Sequence, residues 1–275
     1  MHLTEINIYP VKSLGGISLT AAAVERRGLR HDRRWMLVDD TGRFISQREI
    51  PRMALLDTAI EPPYLVVYER GNPASRTQVP LDPTEQDFAP LPKKMVEVWS
   101  ARCAARLMSE EASHWFSEVL GRDMQLVWMP PTTHRPADGR YAPQGQLVSF
   151  ADGYPFLIIG QSSLDELNAR LQEPVPMNRF RPNLVFCGGQ PFEEDKWSDF
   201  LIGDIPFRAV KPCIRCIMIT TDQSTAARGA EPLKTLSTYR QREHKILFGQ
   251  NVVWMGAAEG EMLRVGQPVV PLATG

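Results

Sequence analysis

The sequence has few cysteines, almost no net charge and no long hydrophobic run. Its four cysteines are unevenly spaced and include one CxxC pair, which argues against a disulfide framework and against a closed tetrahedral zinc site. A formal net charge of -1 gives no general attraction to nucleic acid or to an anionic membrane, so we expect neither as a partner. No window has the length of a membrane span, and the N-terminus lacks a leader pattern, so we expect a cytoplasmic protein.

Two other patterns are also missing. The five histidines do not lie at metal-ligand spacings, which disfavours a metal site built on histidine. The sequence has no glycine-rich loop of the Rossmann or P-loop type and therefore gives no sign of those nucleotide-binding folds. Hydrophobic residues make up 43% and charged residues 23% of the chain, which indicates a folded protein with one large core or two smaller ones.

Short strand patterns separated by turns predict a mainly β fold with flanking helices, of the α+β class. The predicted strands are 3–9, 17–25, 34–39, 43–47, 64–68, 96–99, 155–159, 184–186, 207–210, 217–221, 251–255 and 262–265. Their spacing in the second half of the chain is more typical of a β-barrel than of alternating βαβ units.

Two helices are predicted. Residues 110–120 place apolar side chains at helical spacing, and Gly121 follows at the C-cap position. Residues 162–171 contain Ser163 and Glu166 at the spacing of a capping box.

Proline and polar residues mark two irregular segments. We predict an exposed loop at 73–92 and a linker or lid at 130–148. We therefore divide the chain into an N-terminal β-rich domain at 1–100 and a second domain at 101–275, which contains the first helix and the linker.

The paired cysteines, Cys213 and Cys216, lie between a basic segment and a β-branched run. We predict that they occupy a turn leading into the strand 217–221, where one thiol can point into a pocket. Such a pair can ligate a metal or carry out redox chemistry, and its spacing leaves both possibilities open. The isolated Cys103 and Cys187 are interpreted as small buried hydrophobic residues.

Three separated motifs place cations beside turn signals: Lys12-Ser13, His31-Asp-Arg-Arg34 and Asn178-Arg-Phe-Arg-Pro-Asn183. Guanidinium groups match phosphate oxygens bidentately, so these motifs together predict a phosphate or pyrophosphate ligand. For any one of these cations alone, surface charge is the simpler interpretation. Asp152 and Gly153 precede a buried strand, where Asp152 either transfers protons or caps its own turn.

Seven segments carry a resemblance over nearly the whole chain: Tyr9-Pro-Val-Lys-Ser13, Leu29-Arg-His-Asp-Arg-Arg-Trp35, Phe150-Ala-Asp-Gly-Tyr-Pro-Phe156, Asn178-Arg-Phe-Arg-Pro-Asn183, Cys213-Ile-Arg-Cys216, Glu231-Pro-Leu-Lys-Thr-Leu236 and Phe248-Gly-Gln250. In this order they resemble the MOSC proteins with an N-terminal MOSC β-barrel domain, which include the mitochondrial amidoxime-reducing component and its bacterial counterparts. The resemblance implies an N-terminal β-rich domain and a C-terminal MOSC β-barrel, with a cofactor in the groove between them.

The resemblance also implies a molybdenum cofactor, in which a pterin dithiolene and one protein thiolate hold the metal. N-hydroxylated bases and amidoximes would be reduced there to amines and amidines. The family pattern places the metal-binding thiolate at Cys216 and an acid beside the metal, which supplies or relays a proton, at Asp152. The positions that match cofactor contacts are Lys12, Ser13, Arg33, Gly153, Tyr154, Arg181, Asn183, Ile214 and Asn251. Ile214 replaces a small polar residue that the family often has between the cysteines.

No further cysteines are available for the iron-sulfur cluster that some bacterial relatives hold in a C-terminal ferredoxin-like domain. We therefore expect no such cluster in this chain, and electrons from a separate ferredoxin-like or cytochrome-like donor. The alternative interpretation is a protein that binds molybdenum cofactor or carries sulfur on a cysteine, without turnover of an organic substrate. A thiol oxidoreductase would need a βαβ pattern around the CxxC pair, which the sequence lacks.

Overall fold

The computed structural model describes residues 1–84 and 92–272 and is mainly β, with 41% of residues in strands and 16% in helices, which confirms the predicted fold class. The strands are β1 (His2–Ile8), β2 (Ile17–Leu19), β3 (Ala21–Glu25), β4 (Gly28–Leu29), β5 (Trp35–Val38), β6 (Leu56–Glu61), β7 (Tyr64–Glu69), β8 (Asn72–Pro80), β9 (Lys93–Val98), β10 (Ala101–Leu107), β11 (Gln125–Trp128), β12 (Phe156–Gly160), β13 (Leu184–Cys187), β14 (Asp199–Ile202), β15 (Ile205–Ile214), β16 (Gln241–Arg242), β17 (Lys245–Trp254), β18 (Met262–Arg264) and β19 (Val269–Pro271). The helices are α1 (Glu110–Leu120), α2 (Gln161–Asn168) and α3 (Leu233–Tyr239), with short 3-10 helices at Pro51–Leu55, Met177–Arg179, Glu193–Lys196 and Ile217–Thr220. No helix in these ranges has the length and apolar character that a membrane crossing requires.

The largest sheet has nine strands and joins the two ends of the chain. Its strands follow the order β19-β14-β15-β17-β12-β13-β1-β2, and β16 pairs with β17. β1 is antiparallel to both of its neighbours, with Ile6 opposite Leu184 of β13. Leu3 and Ile6 are buried in one core with Phe186 and Phe200. The first strand of the chain is therefore an inner strand of a sheet built mostly from the second half.

A second core lies around α1, with the sheet β5-β11-β10-β9 and the sheet β6-β7-β8 contributing to it. α1 begins after Ser109, whose hydroxyl accepts a hydrogen bond of 3.1 Å from the amide of Ala112. The helix ends at Gly121, which adopts the left-handed conformation with a φ of 68°. Phe116 and Leu120 are buried on its inner face. The bounds and the C-cap predicted for this helix are confirmed.

Strand pairing crosses the predicted domain boundary. Residue 100 lies in the two-residue turn between β9 and β10, where Val98 pairs with Ala101. β1 pairs with β13, and β3 pairs with β18. The division into 1–100 and 101–275 stays a sequence prediction. Residues from both halves of the chain are buried together in the core that contains Leu3 and Phe186. The segment 130–148 contains no helix or strand and has one isolated bridge.

The segment after the cysteines differs from its prediction. The sequence predicts a strand at 217–221, but Ile217–Thr220 is a 3-10 helix, in which the amide of Ile219 donates to the carbonyl of Cys216 at 3.2 Å. The strand instead includes Cys213 and ends before Cys216, because β15 continues to Ile214. β-branched residues favour strands only where a pleated neighbour is available to pack against, and within the described residues this segment pairs only through an isolated bridge from Thr221 to Arg228.

The loop predicted at 73–92 is wrong in its first part. β8 occupies residues up to Pro80, pairs with β7 and buries Thr77 and Val79. Its prolines are tolerated because β8 is an edge strand of its sheet. Residues 85–91 lie outside the described residues.

Two other predicted elements are shorter than expected. In the predicted strand 43–47 only isolated bridges form, from Arg43 to Glu97 of β9 and from Phe44 to Val38 at the end of β5. The predicted helix 162–171 is shortened to α2, and the hydroxyl of Ser163 donates to Glu194 at 2.9 Å instead of capping the helix. A fully buried carboxylate requires such donors, and this requirement overrides the local capping pattern. Several short elements, β4, β6, β10, β11, β14, β16, β19 and α3, have no counterpart in the prediction.

Candidate functional site

One cavity of about 150 Å³ collects the residues singled out in the sequence. It lies where the turn after β1, the segment before β12, the residues around the 3-10 helix Met177–Arg179 and the end of β15 meet. All the predicted site residues line it: Lys12, Ser13, Arg33, Asp152, Gly153, Tyr154, Arg181, Asn183, Ile214, Cys216 and Asn251. Segments from both halves of the chain thus form one site.

Lys12 and Asp152 form an ion pair on the wall of this cavity. The Nζ of Lys12 lies 2.6 Å from Oδ1 of Asp152 and donates to the carbonyl of Phe150 at 2.8 Å. Burial lowers the pKa of Lys12 to about 8, although the charge of Asp152 opposes this shift. Burial acts to raise the pKa of Asp152, but Lys12 and Arg48 outweigh it and hold that pKa well below its usual range. At neutral pH the pair therefore carries its proton on Lys12.

A buried arginine that the sequence analysis missed holds the segment containing Asp152. Arg135 is 3% exposed and donates to the carbonyls of Ser149, Ala151 and Asp152, the last two at 2.7 and 2.9 Å. Arg135 itself lies in the segment 130–148, which the sequence predicts to be a linker or lid. A lone arginine in a proline-rich segment belongs to no motif, so the sequence offered no signal for this role.

Arg33 and Arg181 both place their guanidinium groups over the ring of Tyr9, at 4.4 and 4.2 Å from its centroid. Arg33 also donates to Asp32 at 2.7 Å and to Asn183 at 2.9 Å. Among the described residues Arg181 has no carboxylate within 4.0 Å, although its side chain is buried. Burial lowers its pKa to about 10, so Arg181 remains charged at neutral pH.

Three cavity residues adopt left-handed backbone conformations. The φ angles are 69° for Ser13, 49° for Arg33 and 55° for Arg181. Non-glycine residues rarely adopt this region, which costs on the order of 1–3 kcal/mol for each residue. Strain of this kind is concentrated at functional sites, and here all three residues lie in the motifs predicted to bind an anion.

Both thiols of the CxxC pair line the cavity. Cys213 lies near the end of β15, and Cys216 directly precedes the 3-10 helix. Neither is in a disulfide, and burial raises the pKa of the Cys213 thiol. Arg215, between them, donates to the carbonyls of Phe248 at 2.8 Å and Phe180 at 3.0 Å. These bonds fix the turn on which the two thiols lie.

Asn183 and Asn251 are held by the backbone at the cavity wall. The side chain of Asn183 donates to the carbonyl of Asn7 at 3.1 Å and accepts from the amide of Leu157 at 3.3 Å, besides accepting from Arg33. Asn251 donates to the carbonyl of Lys211 at 3.1 Å. Because these polar groups already have partners, we interpret Asn183 chiefly as a positioning residue for the cation beside it.

The remaining predicted residues expose backbone or apolar surface. A Cβ atom added at Gly153 would meet nothing within 4 Å, so the glycine leaves room beside Asp152. Tyr154 is buried, and burial together with Asp138 raises its pKa. Ile214 is 41% exposed and places apolar surface at the cavity.

The cavity is strongly cationic in a chain that is nearly neutral. Among the described residues its lining has a single acid, Asp152, and six cations: Lys12, Arg33, Arg48, Arg179, Arg181 and Arg215. The sequence analysis did not assign Arg48 or Arg215 to the site. One guanidinium nitrogen of each, Nη1 of Arg48 and Nη2 of Arg215, is buried without a hydrogen-bond partner among the described residues. Such an arrangement can bind an anion with several oxygen atoms.

Protein ligands for a bare metal ion are scarce. Within residues 1–84 and 92–272, no group of three or more histidine, cysteine, aspartate or glutamate side chains is placed to hold one. A metal at the thiols would therefore need most of its ligands from elsewhere, as a cofactor can supply. A larger and more open concavity of about 820 Å³ lies beside α1, but it contains neither a cysteine nor a cluster of cations.

Two family models match the sequence. One, described as the MOSC N-terminal beta barrel domain, matches residues 1–123. The other, described as the MOSC domain, matches residues 145–270. Every residue that lines the cavity lies within one of these two ranges.

Similar proteins are of two kinds. Mitochondrial amidoxime-reducing component 1 of Homo sapiens is 32% identical over 97% of this chain and 82% of its own length. The protein of the same name from Mus musculus is 30% identical over 97% of this chain and 81% of its own length. Molybdenum cofactor sulfurase of Oryza sativa subsp. japonica is 32% identical over 98% of this chain, which spans only 35% of the sulfurase.

Proposed function

Because the chain belongs to the MOSC domain proteins with a MOSC N-terminal beta barrel domain, we propose that it binds a molybdenum cofactor and reduces N-hydroxylated compounds. One observation carries this proposal: a thiol, a cluster of buried cations and one ionised acid line the same cavity. N-hydroxylated bases and amidoximes would be the substrates, and amines and amidines the products. Electrons would come from a separate ferredoxin-like or cytochrome-like donor.

The donor set of the cavity fits such a cofactor. Cys216 offers a thiolate, a soft ligand suited to a metal that already has sulfur ligands. The unpartnered nitrogens of Arg48 and Arg215, together with Arg181, are available to phosphate or pterin oxygens. The residues that would hold the cofactor are Lys12, Ser13, Arg33, Gly153, Tyr154, Arg181, Asn183, Ile214 and Asn251, with Cys216 on the metal. When bound, the cofactor would supply two-electron redox chemistry at the metal.

The chain's own residues would deliver the protons one at a time, and solvent would replace each of them. Reduction of an N-hydroxyl group consumes two electrons and two protons and releases water. Lys12, with a pKa of about 8, is protonated at neutral pH and is suited to donate. Asp152, 2.6 Å away and ionised, would orient Lys12 and relay its proton. Arg135 would keep Asp152 in place through the backbone of its segment.

A second candidate is a protein that binds the cofactor or carries sulfur, without turnover of an organic substrate. Two free thiols in one cavity favour it, because one cysteine could accept a sulfane sulfur from a donor persulfide, which is left as a thiol, and hold it as a persulfide beside the other cysteine. The similarity to a plant molybdenum cofactor sulfurase adds to its weight.

Activity and metal content of one preparation separate the candidates. Protein produced in a host that loads a control molybdenum enzyme should contain molybdenum and pterin. It should also reduce benzamidoxime to benzamidine with an artificial electron donor. Bound molybdenum without reduction of any N-hydroxylated substrate would favour the second candidate. A preparation with neither molybdenum nor pterin, beside a loaded control enzyme, would contradict the reductase and the cofactor-binding form of the second candidate.

A further inference from the structure

An exposed tryptophan lies beside the cationic cavity. Trp99 is 48% exposed and forms the two-residue turn between β9 and β10 together with Ser100. Its ring lies 5.2 Å from that of Phe44, and the guanidinium of Arg48 lies 4.5 Å from its centroid. Arg48 in turn reaches Asp152, with 3.5 Å between Nη2 and Oδ2. Arg48 thus joins the aromatic pair to the wall of the cavity, and a hydrogen bond from the side chain of Trp99 to Asp152 joins it directly.

The backbone at Trp99 is strained. Its φ is 59°, at the first of the two turn residues, where hairpins with a positive φ prefer glycine. A large aromatic side chain is an uncommon choice for this position and costs stability. The buried anchors Val96 and Val98 hold the preceding strand, so the turn presents the indole at a fixed place.

Trp99 and Phe44 line a concavity of about 750 Å³, which we call the aromatic shelf. Arg48 lines both this shelf and the cationic cavity, so the two spaces adjoin. The volume is in the range of small-molecule sites. The other charged residues of the shelf are Arg43, Glu49 and Glu97, which with Arg48 give two charges of each sign.

We infer that the aromatic shelf is the subsite for a planar aromatic group of the substrate, and that Trp99 determines a preference for aromatic over aliphatic N-hydroxylated compounds. This inference rests on the proposed function. The exposed indole can stack on an aromatic ring while the N-hydroxyl group enters the cationic cavity past Arg48. A charged protein partner fits less well, because the shelf has balanced charges and gives no electrostatic steering.

The experiment compares two amidoximes in loaded protein, benzamidoxime and acetamidoxime, with an artificial electron donor. Trp99→Gly should raise KM for benzamidoxime about two- to tenfold, the usual value of one aromatic stacking contact, while any change in kcat from the lost hydrogen bond to Asp152 should be the same for both amidoximes. KM for acetamidoxime should stay within about twofold. Trp99→Phe should retain most of the preference. The melting temperature of Trp99→Gly should be unchanged or higher, because glycine relieves the strain.

Tyr64→Ala is the matched control, since Tyr64 is an exposed aromatic residue that lines neither space. It should leave both KM values unchanged. Equal changes in KM for the two amidoximes in Trp99→Gly would overturn the inference. The inference would also be overturned if Trp99→Gly lost turnover with a protein electron donor but kept it with the artificial donor, because that result would indicate partner docking. A lower melting temperature together with unchanged KM values would assign Trp99 to packing and overturn it as well.

A binding measurement keeps this inference separate from the proposed function. In cofactor-free protein, benzamidoxime should quench tryptophan fluorescence saturably, acetamidoxime should not, and Trp99→Phe should remove the quenching. If neither amidoxime is reduced but this quenching is observed, the shelf is supported and the proposed reduction fails. Absence of quenching in a protein that reduces benzamidoxime would overturn the shelf and leave the proposed function intact.

Discussion

Arg33 and Arg181 stack on the same tyrosine, but their surroundings differ. Arg33 is bonded to Asp32 and Asn183, whereas Arg181 has no carboxylate within 4.0 Å among the described residues. The protein satisfies the first cation itself and leaves the second without an acid. A cationic cavity can therefore contain two kinds of cation. One kind is paired with an acid of the chain and stabilises the fold, and the other has no such acid and is available to a ligand.

The same division extends around the cavity. Lys12 and Arg179 have acids at 2.6 Å, Asp152 and Asp222, and belong with Arg33 in the paired group. Arg48 also has an acid, Asp152 at 3.5 Å, so among the described residues that line the cavity the unpaired group consists of Arg181 and Arg215. A buried cation without an acid is unfavourable by itself, and a bound anion would offset that cost. We therefore expect changes in the paired group to lower stability as well as cofactor binding, and changes in the unpaired group to lower binding alone.

Replacing a thiol of the cavity should have the largest effect, which is on reductase activity. Cys216→Ser should lower reductase activity about 100-fold or more, because a hydroxyl is a hard and poor substitute for a thiolate on molybdenum. Cys213→Ser is the matched change in the same cavity and should retain substantial turnover. Rates per molybdenum and thermal unfolding should be measured for both. Equal losses would indicate that the two thiols act together.

The next effect tests the paired group. Asp32 is fully buried, so Arg33→Gln should leave its carboxylate without a cation and lower the free energy of unfolding by about 3 kcal/mol. Urea unfolding of the cofactor-free protein measures this. Arg208→Gln is the control, because the pair of Arg208 with Asp199 is exposed and contributes at most about 1 kcal/mol. A loss no greater than that of the control would contradict the structural role of Arg33.

A smaller effect concerns the protonation of Lys12. Its pKa falls from 10.5 in the unfolded chain to about 8 in the folded protein, so between these values the unfolded chain binds more protons. Stability from this group therefore rises with pH across that window. From pH 8 to 9.5 the free energy of unfolding should increase by about 1.5 kcal/mol relative to Lys12→Met. Lys245→Met, at an exposed lysine, should show no such difference from the wild type. If the difference in free energy of unfolding between the wild type and Lys12→Met stays the same from pH 8 to 9.5, burial does not lower the pKa of Lys12.

The sequence predicted the fold class and α1 well because their signals are local. A helical period with Ser109 before it and Gly121 after it specifies a helix without reference to the rest of the chain. The segment 217–221 shows the limit of local reasoning. Its β-branched residues resemble a strand, but the neighbouring strand β17 pairs with the residues before the cysteines. Pairing partners distant in sequence decide such cases.

The candidate site divides in the same way. Motifs such as Asn178-Arg-Phe-Arg-Pro-Asn183 are continuous in the chain, and the structure brings every residue predicted for the site to one cavity. The roles given to these residues stay predictions. Arg48 and Arg135 were missed because each is an isolated arginine outside any motif. Arg48 reaches Asp152 across 104 positions of the sequence, a contact that only the folded chain reveals.

The division between paired and unpaired cations is tested by two measurements on Arg181 variants. One is the molybdenum content per chain, and the other is the free energy of unfolding of the same variants without cofactor. Arg181→Lys keeps the charge but loses the planar fork, and Arg181→Ala loses both. We predict a clear fall in molybdenum content for both variants. The free energy of unfolding of the empty protein should change by no more than about 1 kcal/mol, as for an arginine without an acid partner. Unchanged molybdenum content in both variants, or a loss of stability as large as that of Arg33→Gln, would contradict the account.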